Sequence, residues 1–185
     1  NTGSMKGLLD IGNDVFLLKH DDPKRKLKYG LEIIKARDLL VGVNTHKANK
    51  IVNHGLINNL IKELKNHDKI KSEVFFNKKT RFDFLVAEFP DAITSRGSKH
   101  LLTLIDAIKK GYKSYLIFLV QIENMEYFKI AKDIDIEYYK NYLIAKKAGV
   151  NFLAYRCKIS SKKIYIEKKI KIINEWLQRK IWKNE

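Results

Sequence analysis

Acidic side chains a few residues apart on extended backbone can hold a divalent cation, and the stretch TRFDFLVAEFPDAITSRGSKH, Thr80 to His100, carries such a set. Asp83 sits between Phe82 and Phe84. On a strand, Arg81, Asp83 and Leu85 share one face while Phe82, Phe84 and Val86 share the other. A carboxylate buried there needs a hydrogen-bond partner or a metal. An ion pair with Arg81 or a nearby lysine satisfies it equally well. Glu88 and Asp91 follow in AEFPD. Metal-dependent nucleases combine such acids with a lysine, so that the cation orients water and neutralises phosphate charge. The acid–x–lysine pattern is missing between Asp83 and Pro90, since Glu88 has Pro90 two positions later. Asp91, after Pro90, also suits the cap of a following helix. Arg96 and Lys99, three apart, share a helix face and suit phosphate contact. His100 reads as a packing residue or a phosphate contact.

The composition favours a polyanionic partner. Lys and Arg number 37 against 21 Asp and Glu, a formal charge of +16. Such a field attracts DNA, RNA or an anionic surface, and a solvated lysine face explains it as simply. The run PKRKLK, Pro23 to Lys28, puts Lys24, Arg25, Lys26 and Lys28 on one expected loop. Cys157 is the sole cysteine, so no intrachain disulfide is available. His20, His46, His54, His67 and His100 lack zinc-like spacing. No glycine-rich phosphate loop ending in GK[ST] is present, which argues against nucleotide hydrolysis. The opening Asn1 to Asp10 does not read as a signal peptide, and the apolar run Tyr115 to Val120 is too short to span a bilayer. A soluble cytoplasmic protein is the expectation.

These residues need elements to place them. Ile11 to Leu18 and Leu31 to Ile34 read as short strands, joined by the basic loop. A second region starts near Leu39. Its apolar positions Ile51, Val52, Leu56, Leu60, Ile61 and Leu64 fit one buried helical face, with Thr45 as N-cap and Gly55 as a weak point. Ile70 to Phe76 and Thr80 to Val86 read as a hairpin around Asn77-Lys78-Lys79. A helix over 98–110 follows, with Leu101, Leu104, Ile105 and Ile108 inward and Gly111 as its stop. Tyr115 to Gln121 reads as a strand covered on both faces. Asp135 is expected to cap a helix through Lys147 with Tyr139, Leu143 and Ile144 inward, and Tyr138, Tyr139 and Tyr142 form a partly buried face. Val150 to Ile159 and Ile164 to Ile170 read as strands, and IINEWLQRKIW as a closing helix. Alternating strands and helices in the second half favour α/β layering.

Several stretches together resemble the sugar fermentation stimulation protein family, SfsA. They are NTGSMKGLL, DDPKRKLKY, VGVNTHKAN, SEVFF, RFDFL, FPDAITSRGSKHL, FLVQ and AGVNFLAYRCKIS, in order along nearly the whole chain. The resemblance implies an incomplete OB-like β-barrel segment, residues 1–38, before an α/β domain, 39–185, whose mixed sheet flanked by helices is like that of PD-(D/E)XK nucleases. It implies nonspecific DNA binding, a role in regulating sugar metabolism, and no membrane partner. A homodimer stays open. A metal-dependent endo- or exonuclease and a catalytically inactive DNA-binding regulator both stay open as readings of activity.

By the same resemblance Asp83 is the family's first acid and a ligand for Mg²⁺ or Mn²⁺. Asp91 and Gln121 join it as catalytic positions, Glu73 is auxiliary, and Lys24, Arg25, Lys26, Lys28, Arg96, Lys99 and His100 contact nucleic acid. The chain departs from the family in two places. Asn53-His54 stands where members often have Lys-Glu, which removes an auxiliary acid. The family's Glu-x-Lys strand is absent, since RFDFLV runs directly into AEFPD. The expectation is that Val86 and Ala87 are not consecutive in the full protein, because deleting a central strand would leave backbone groups unpaired.

Overall fold

The computed structural model describes residues 8, 11–36, 38–65, 75–76, 80–81 and 93–173. The first three strands, β1 (Asp14–Lys19), β2 (Tyr29–Ala36) and β3 (Leu39–Gly42), form an antiparallel sheet in that order. It is OB-like and not closed into a barrel among the described residues. The sequence reading began its second region near Leu39. β3 instead pairs with β2 from Ala36↔Leu39 to Ile33↔Gly42, so the N-terminal sheet continues past that point.

A 3-10 turn at Thr45–Lys47 leads into α1 (Ala48–Ile57). Thr45 lies within that turn and does not cap the helix; Lys47 takes the N-cap position without a side-chain bond. The expected helix running on to Leu64 stops at Ile57. Asn59 adopts φ 54, Asn59 N donates to Leu56 O (3.0 Å), and Leu60 N donates to Gly55 O (2.8 Å). That is the paired-bond stop in which a left-handed residue, here Asn in place of Gly, ends a helix. Gly55 has a packing reason: a Cβ there would lie 2.6 Å from Ile166 Cδ1. α1 therefore approaches the sheet beneath it closely.

The fragments β4 (Phe75–Phe76) and β5 (Thr80–Arg81) pair antiparallel where the hairpin was expected. The remainder of that hairpin, including Asp83, lies outside the described residues, as do Glu73, Asp91 and the tail after Ile173. α2 (Ser95–Lys109) is capped by Thr94, whose hydroxyl accepts from Gly97 N at 3.0 Å. The cap expected of Asp91 thus belongs to Thr94. Gly111, at φ +84, closes the helix as expected.

A second sheet follows the order β6 (Tyr115–Val120), β8 (Asn151–Ile159), β9 (Ile164–Ile173), β7 (Tyr127–Lys129). β6 runs parallel to β8, β8 antiparallel to β9, and β9 parallel to β7, which makes the sheet mixed. Alternation along β6 divides its side chains between two cores. Leu116, Phe118 and Val120 join Leu101 and Leu104 of α2 and Tyr138 and Tyr142 of α3 (Ile136–Lys147). Ile117 and Leu119 join Ile51, Val52 and Leu56 of α1, with Ile33 of the N-terminal sheet in the same cluster. Helices thus cover both faces, which is why β6 reads as an unbroken apolar run.

Asp135 caps α3 as expected, accepting from Tyr138 N at 2.8 Å. The buried face is Tyr138, Tyr142 and Ala145, whereas Leu143 and Ile144 are exposed. The expected tyrosine face therefore holds, with Tyr139 half-buried against the core, while Leu143 and Ile144 turn outward because three closely spaced tyrosines and two aliphatics mark competing stripes.

Candidate nucleic-acid interface

The β1–β2 connection, residues 20–28, is a braced loop. His20 N donates to Lys28 O (2.7 Å) across its base. Inside it Lys24 N donates to Asp22 Oδ1 (2.9 Å) and Arg25 N to Asp22 O (3.2 Å), the short-range bonding that Asp offers a turn. Lys28 Nζ folds back onto the carbonyls of Asp22 (3.1 Å) and Pro23 (3.4 Å). Arg25 Nη1 lies 3.2 Å from His20 Nδ1. Four cations expected to act alike therefore divide. Lys28 braces the loop, Arg25 leans on His20, and Lys24 and Lys26 project from an exposed segment, meeting no carboxylate among the described residues.

Arg96 and Lys99 are both exposed on the first turns of α2, as their spacing predicts. His100 is buried on the helix's inner side beside Leu101, the position of a packing residue. Beneath this turn lies a group whose second role sequence reasoning missed. Asp135, 4% exposed, caps α3 through Oδ1 and accepts from Thr94 N through Oδ2 at 2.8 Å. One buried carboxylate thus fixes the starts of two helices, where the helix dipoles favour negative charge. Its place before α3 was visible in sequence; its reach over 41 residues to Thr94 had no local signal. α2 and the N-terminal sheet pack on opposite faces of the second sheet, so the two sets of cations are carried on opposite sides of it.

Gln121 marks the junction of the two sheets. It follows β6, and its carbonyl accepts from Gly42 N of β3 at 2.8 Å. Val41 bridges Ile122, and Glu123 N donates to Leu40 O (3.2 Å), so β3 zips along residues 121–123. The Gln121 side chain is 3% exposed, and neither Oε1 nor Nε2 meets a hydrogen-bond partner among the described residues. Buried amides are usually hydrogen-bonded, so this carboxamide has donor and acceptor capacity to offer a bound group. Among the described residues no three His, Cys, Asp or Glu side chains come together in a way that would hold a metal.

A second polar cluster ties the segment after α1 to the sheet. Glu63 accepts from Tyr155 Oη through Oε2 and from Lys169 Nζ through Oε1, each at 2.5 Å. Partial burial works to raise the Glu63 carboxyl, but the bonds from Lys169 and Tyr155 outweigh it and hold the group below the usual carboxylate range. Burial, then the hydrogen bond to Glu63, pushes the Tyr155 phenol up. Cys157 is buried in the same core, and its thiol is pushed up to about 12 by burial and by Glu167, which leaves it unreactive at neutral pH. No described helix is long and apolar enough to cross a membrane.

An OB-like antiparallel sheet joined through β3 to a helix-covered mixed sheet defines a two-part protein of OB and restriction-endonuclease-like architecture. The chain belongs to the sugar fermentation stimulation protein family. Residues 1–43 match the SfsA N-terminal OB domain, and residues 86–163 match the sugar fermentation stimulation protein RE domain. It is 68% identical to a sugar fermentation stimulation protein homolog of Pelagibacter ubique (strain HTCC1062) over 94% of this chain and 84% of that one. A homolog from Bartonella henselae is 34% identical over the same shares. The fold is similar to that of Pyrococcus furiosus SfsA solved in complex with Ca²⁺, with a TM-score of 0.80 at 19% identity, covering 94% of this chain and 83% of that chain.

Proposed function

We propose that this protein binds duplex DNA without strong sequence preference and serves as a DNA-binding module of sugar-metabolism regulation. The observation that carries the reading is the braced loop at 20–28, which presents Lys24, Arg25 and Lys26 to solvent on a chain of charge +16. Arg96 and Lys99 on α2, carried on the other side of the second sheet, offer a separate phosphate-contact surface. In this reading the N-terminal β unit, residues 1–38 continued by β3, supplies the loop, and the α/β unit, 39–185, supplies the helix. Phosphate contacts position a protein without reading sequence, and released counterions make binding fall steeply with salt. Fluorescence anisotropy on two unrelated duplexes across a salt series tests it. The variant K24A/R25A/K26A is expected to weaken both duplexes alike and to flatten the log–log salt slope by about 2 to 3. No binding at low salt, or an unchanged slope, overturns the proposal.

A second reading, metal-dependent phosphodiester cleavage, is favoured by the orphaned Gln121 carboxamide. Its oxygen suits the oxygen-rich shell of Mg²⁺ or Mn²⁺, with Asp83 as the carboxylate ligand and Asp91 nearby in sequence. Such an ion would supply charge neutralisation at the phosphate and an activated water. The Ca²⁺ complex of the Pyrococcus protein of this fold supports a cation in the same family. The reading also requires the Glu-x-Lys strand between residues 86 and 87. In support, the Pelagibacter match runs over 196 residues while taking in 94% of this 185-residue chain, so parts of the relative inside the match lack a counterpart here. Cleavage assayed with Mn²⁺ on the full-length protein, beside Asp83→Asn with DNA affinity measured in parallel, separates the readings. Cleavage lost with affinity kept supports the enzyme, and no cleavage of single-stranded, duplex or branched DNA leaves the binding module.

A further inference from the structure

A cleft of about 360 Å³ lies between β1 of the N-terminal sheet, α1 and the turn joining β8 to β9. Its lining includes no residue of the loop at 20–28 or of α2. Its apolar lining comes from Phe16, Leu17 and Leu18 of β1 with Ile33, Ile51 and Ile164. The rest is largely cationic. Lys47, Lys50 and His54 recur at the spacing of a single helical face, so α1 lays them in a row along the opening. Lys162 and Lys163 come from the opposite rim, on a tight turn closed by Lys163 N donating to Ser160 Oγ (3.2 Å) and Ser160 N donating to Lys163 O (3.0 Å).

The charges do not balance. Glu32 is the one carboxylate lining the cleft among the described residues, and it is engaged by Lys47 (2.7 Å) and by Asn44 Nδ2 (2.9 Å). Lys50 and Lys162 meet no carboxylate among the described residues, and Lys163 lies over the Tyr165 ring at 5.2 Å. Lys50 and Lys162 thus line one small space without a compensating carboxylate among the described residues, and an anion between them would relieve their repulsion. An anion alone leaves the apolar wall unused. A volume at the lower end of small-ligand sites fits a ligand with one flat apolar part and one strongly anionic part.

We propose that the cleft binds a nucleoside phosphate, its base against Phe16 and its phosphate between Lys50 and the Lys162–Lys163 turn. Aromatic side chains stack on any base, and lysines act as point charges on phosphate, so the pairing selects a class of ligand rather than one base. The same chemistry is offered by a free nucleotide and by the 5′-phosphorylated end of a single strand.

Calorimetric titration of the full chain with adenosine 5′-monophosphate, adenosine, inorganic phosphate and a 5′-phosphorylated tetranucleotide tests the assignment. Saturable binding of the first and last is expected, with adenosine and phosphate each at least about tenfold weaker, because each satisfies one wall. The exposed-lysine variant K50A/K162A is expected to lose about tenfold or more for both phosphorylated ligands at an unchanged melting temperature. Phe16→Leu is expected to weaken the nucleotide while leaving inorganic phosphate as it was. Tighter binding of the tetranucleotide assigns the strand end, and equal binding assigns the free nucleotide. Absence of saturation with both phosphorylated probes, or affinities unchanged in K50A/K162A, overturns the proposal. The duplex-binding reading fails separately: K24A/R25A/K26A is expected to keep nucleotide affinity, and K50A/K162A to keep most duplex affinity.

Discussion

β1 and β6 are both six-residue apolar strands, DVFLLK and YLIFLV, yet one is exposed along most of its length and the other is buried almost throughout. Val15 and Leu17 of β1 are each 53% exposed, while Phe118 and Leu119 of β6 are fully buried. The difference lies in what covers them. β6 has α2 and α3 on one face and α1 on the other. β1 belongs to a three-stranded open sheet held to the rest of the chain by β3, Ile33 and the packing of Phe16 and Leu40. Apolar side chains contribute by the area removed from water, so similar compositions carry unequal weight. The second sheet holds most of the buried core, and the first leaves much of its apolar surface exposed.

The largest expected effect breaks this contrast directly. Phe118 stacks on Phe128 with ring centroids 4.4 Å apart, in the centre of its core. Phe118→Ala is expected to cost about 3 to 5 kcal/mol, through lost transfer energy and the cavity left behind. Val15→Ala is expected to fall within about 0.5 kcal/mol of the parent. Urea unfolding of both variants measures the gap. A costly Val15→Ala would mean that the outer face of the N-terminal sheet is covered in solution.

A smaller effect asks whether the helical layer depends on one carboxylate. Asp135 serves Tyr138 N and Thr94 N at once. Asp135→Ala removes a cap and leaves a second, part-buried donor at Thr94 N without its acceptor, so a loss of about 2 kcal/mol is expected. Hydrogen exchange should show the first turns of α2 and α3 opening together. Exchange confined to α3 would show that the bond to Thr94 carries no weight.

Legibility in the sequence followed the range of the interaction. Asp135 as a cap, Gly111 as a stop and β6 as a doubly covered strand each depend on neighbours within a few residues, and all three were readable. The end of α1 was local too, but its signal was Asn58-Asn59 before Leu60 rather than a glycine, so the helix was read too long. β3 was assigned away from the N-terminal sheet because its four residues carry no pattern that names a pairing partner. Of the candidate site, the exposure of Arg96 and Lys99 followed from helical spacing. The bracing role of Lys28 did not, because a lysine in a basic run looks like its neighbours until the loop closes on it. The orphaned amide of Gln121 and the cleft between α1 and the β8–β9 turn required the tertiary fold, since their parts come from segments far apart in the chain.

The smallest expected effect concerns the contact that anchors the segment after α1 to the second sheet. Glu63 reaches Tyr155 on β8 and Lys169 on β9, and its carboxyl is held below the usual carboxylate range despite partial burial. A carboxyl whose folded value lies below its unfolded value stabilises the fold above the unfolded value. That contribution is lost as pH falls through the folded one. Glu63→Gln should therefore match the parent in acid, where both side chains are neutral, and fall behind it as pH rises through the carboxylate range. The gap at neutral pH is expected to stay below about 1 kcal/mol, because Lys169 is half exposed and such pairs are screened by solvent. Melting temperatures of the two proteins, followed from neutral pH into acid, give the test. A gap that persists unchanged in acid would show that Glu63 acts through packing or neutral hydrogen bonding to Tyr155. The charge on the carboxylate would then contribute nothing to the anchor, and the apolar packing of Ile61 and Leu64 would carry more of the attachment to the second sheet.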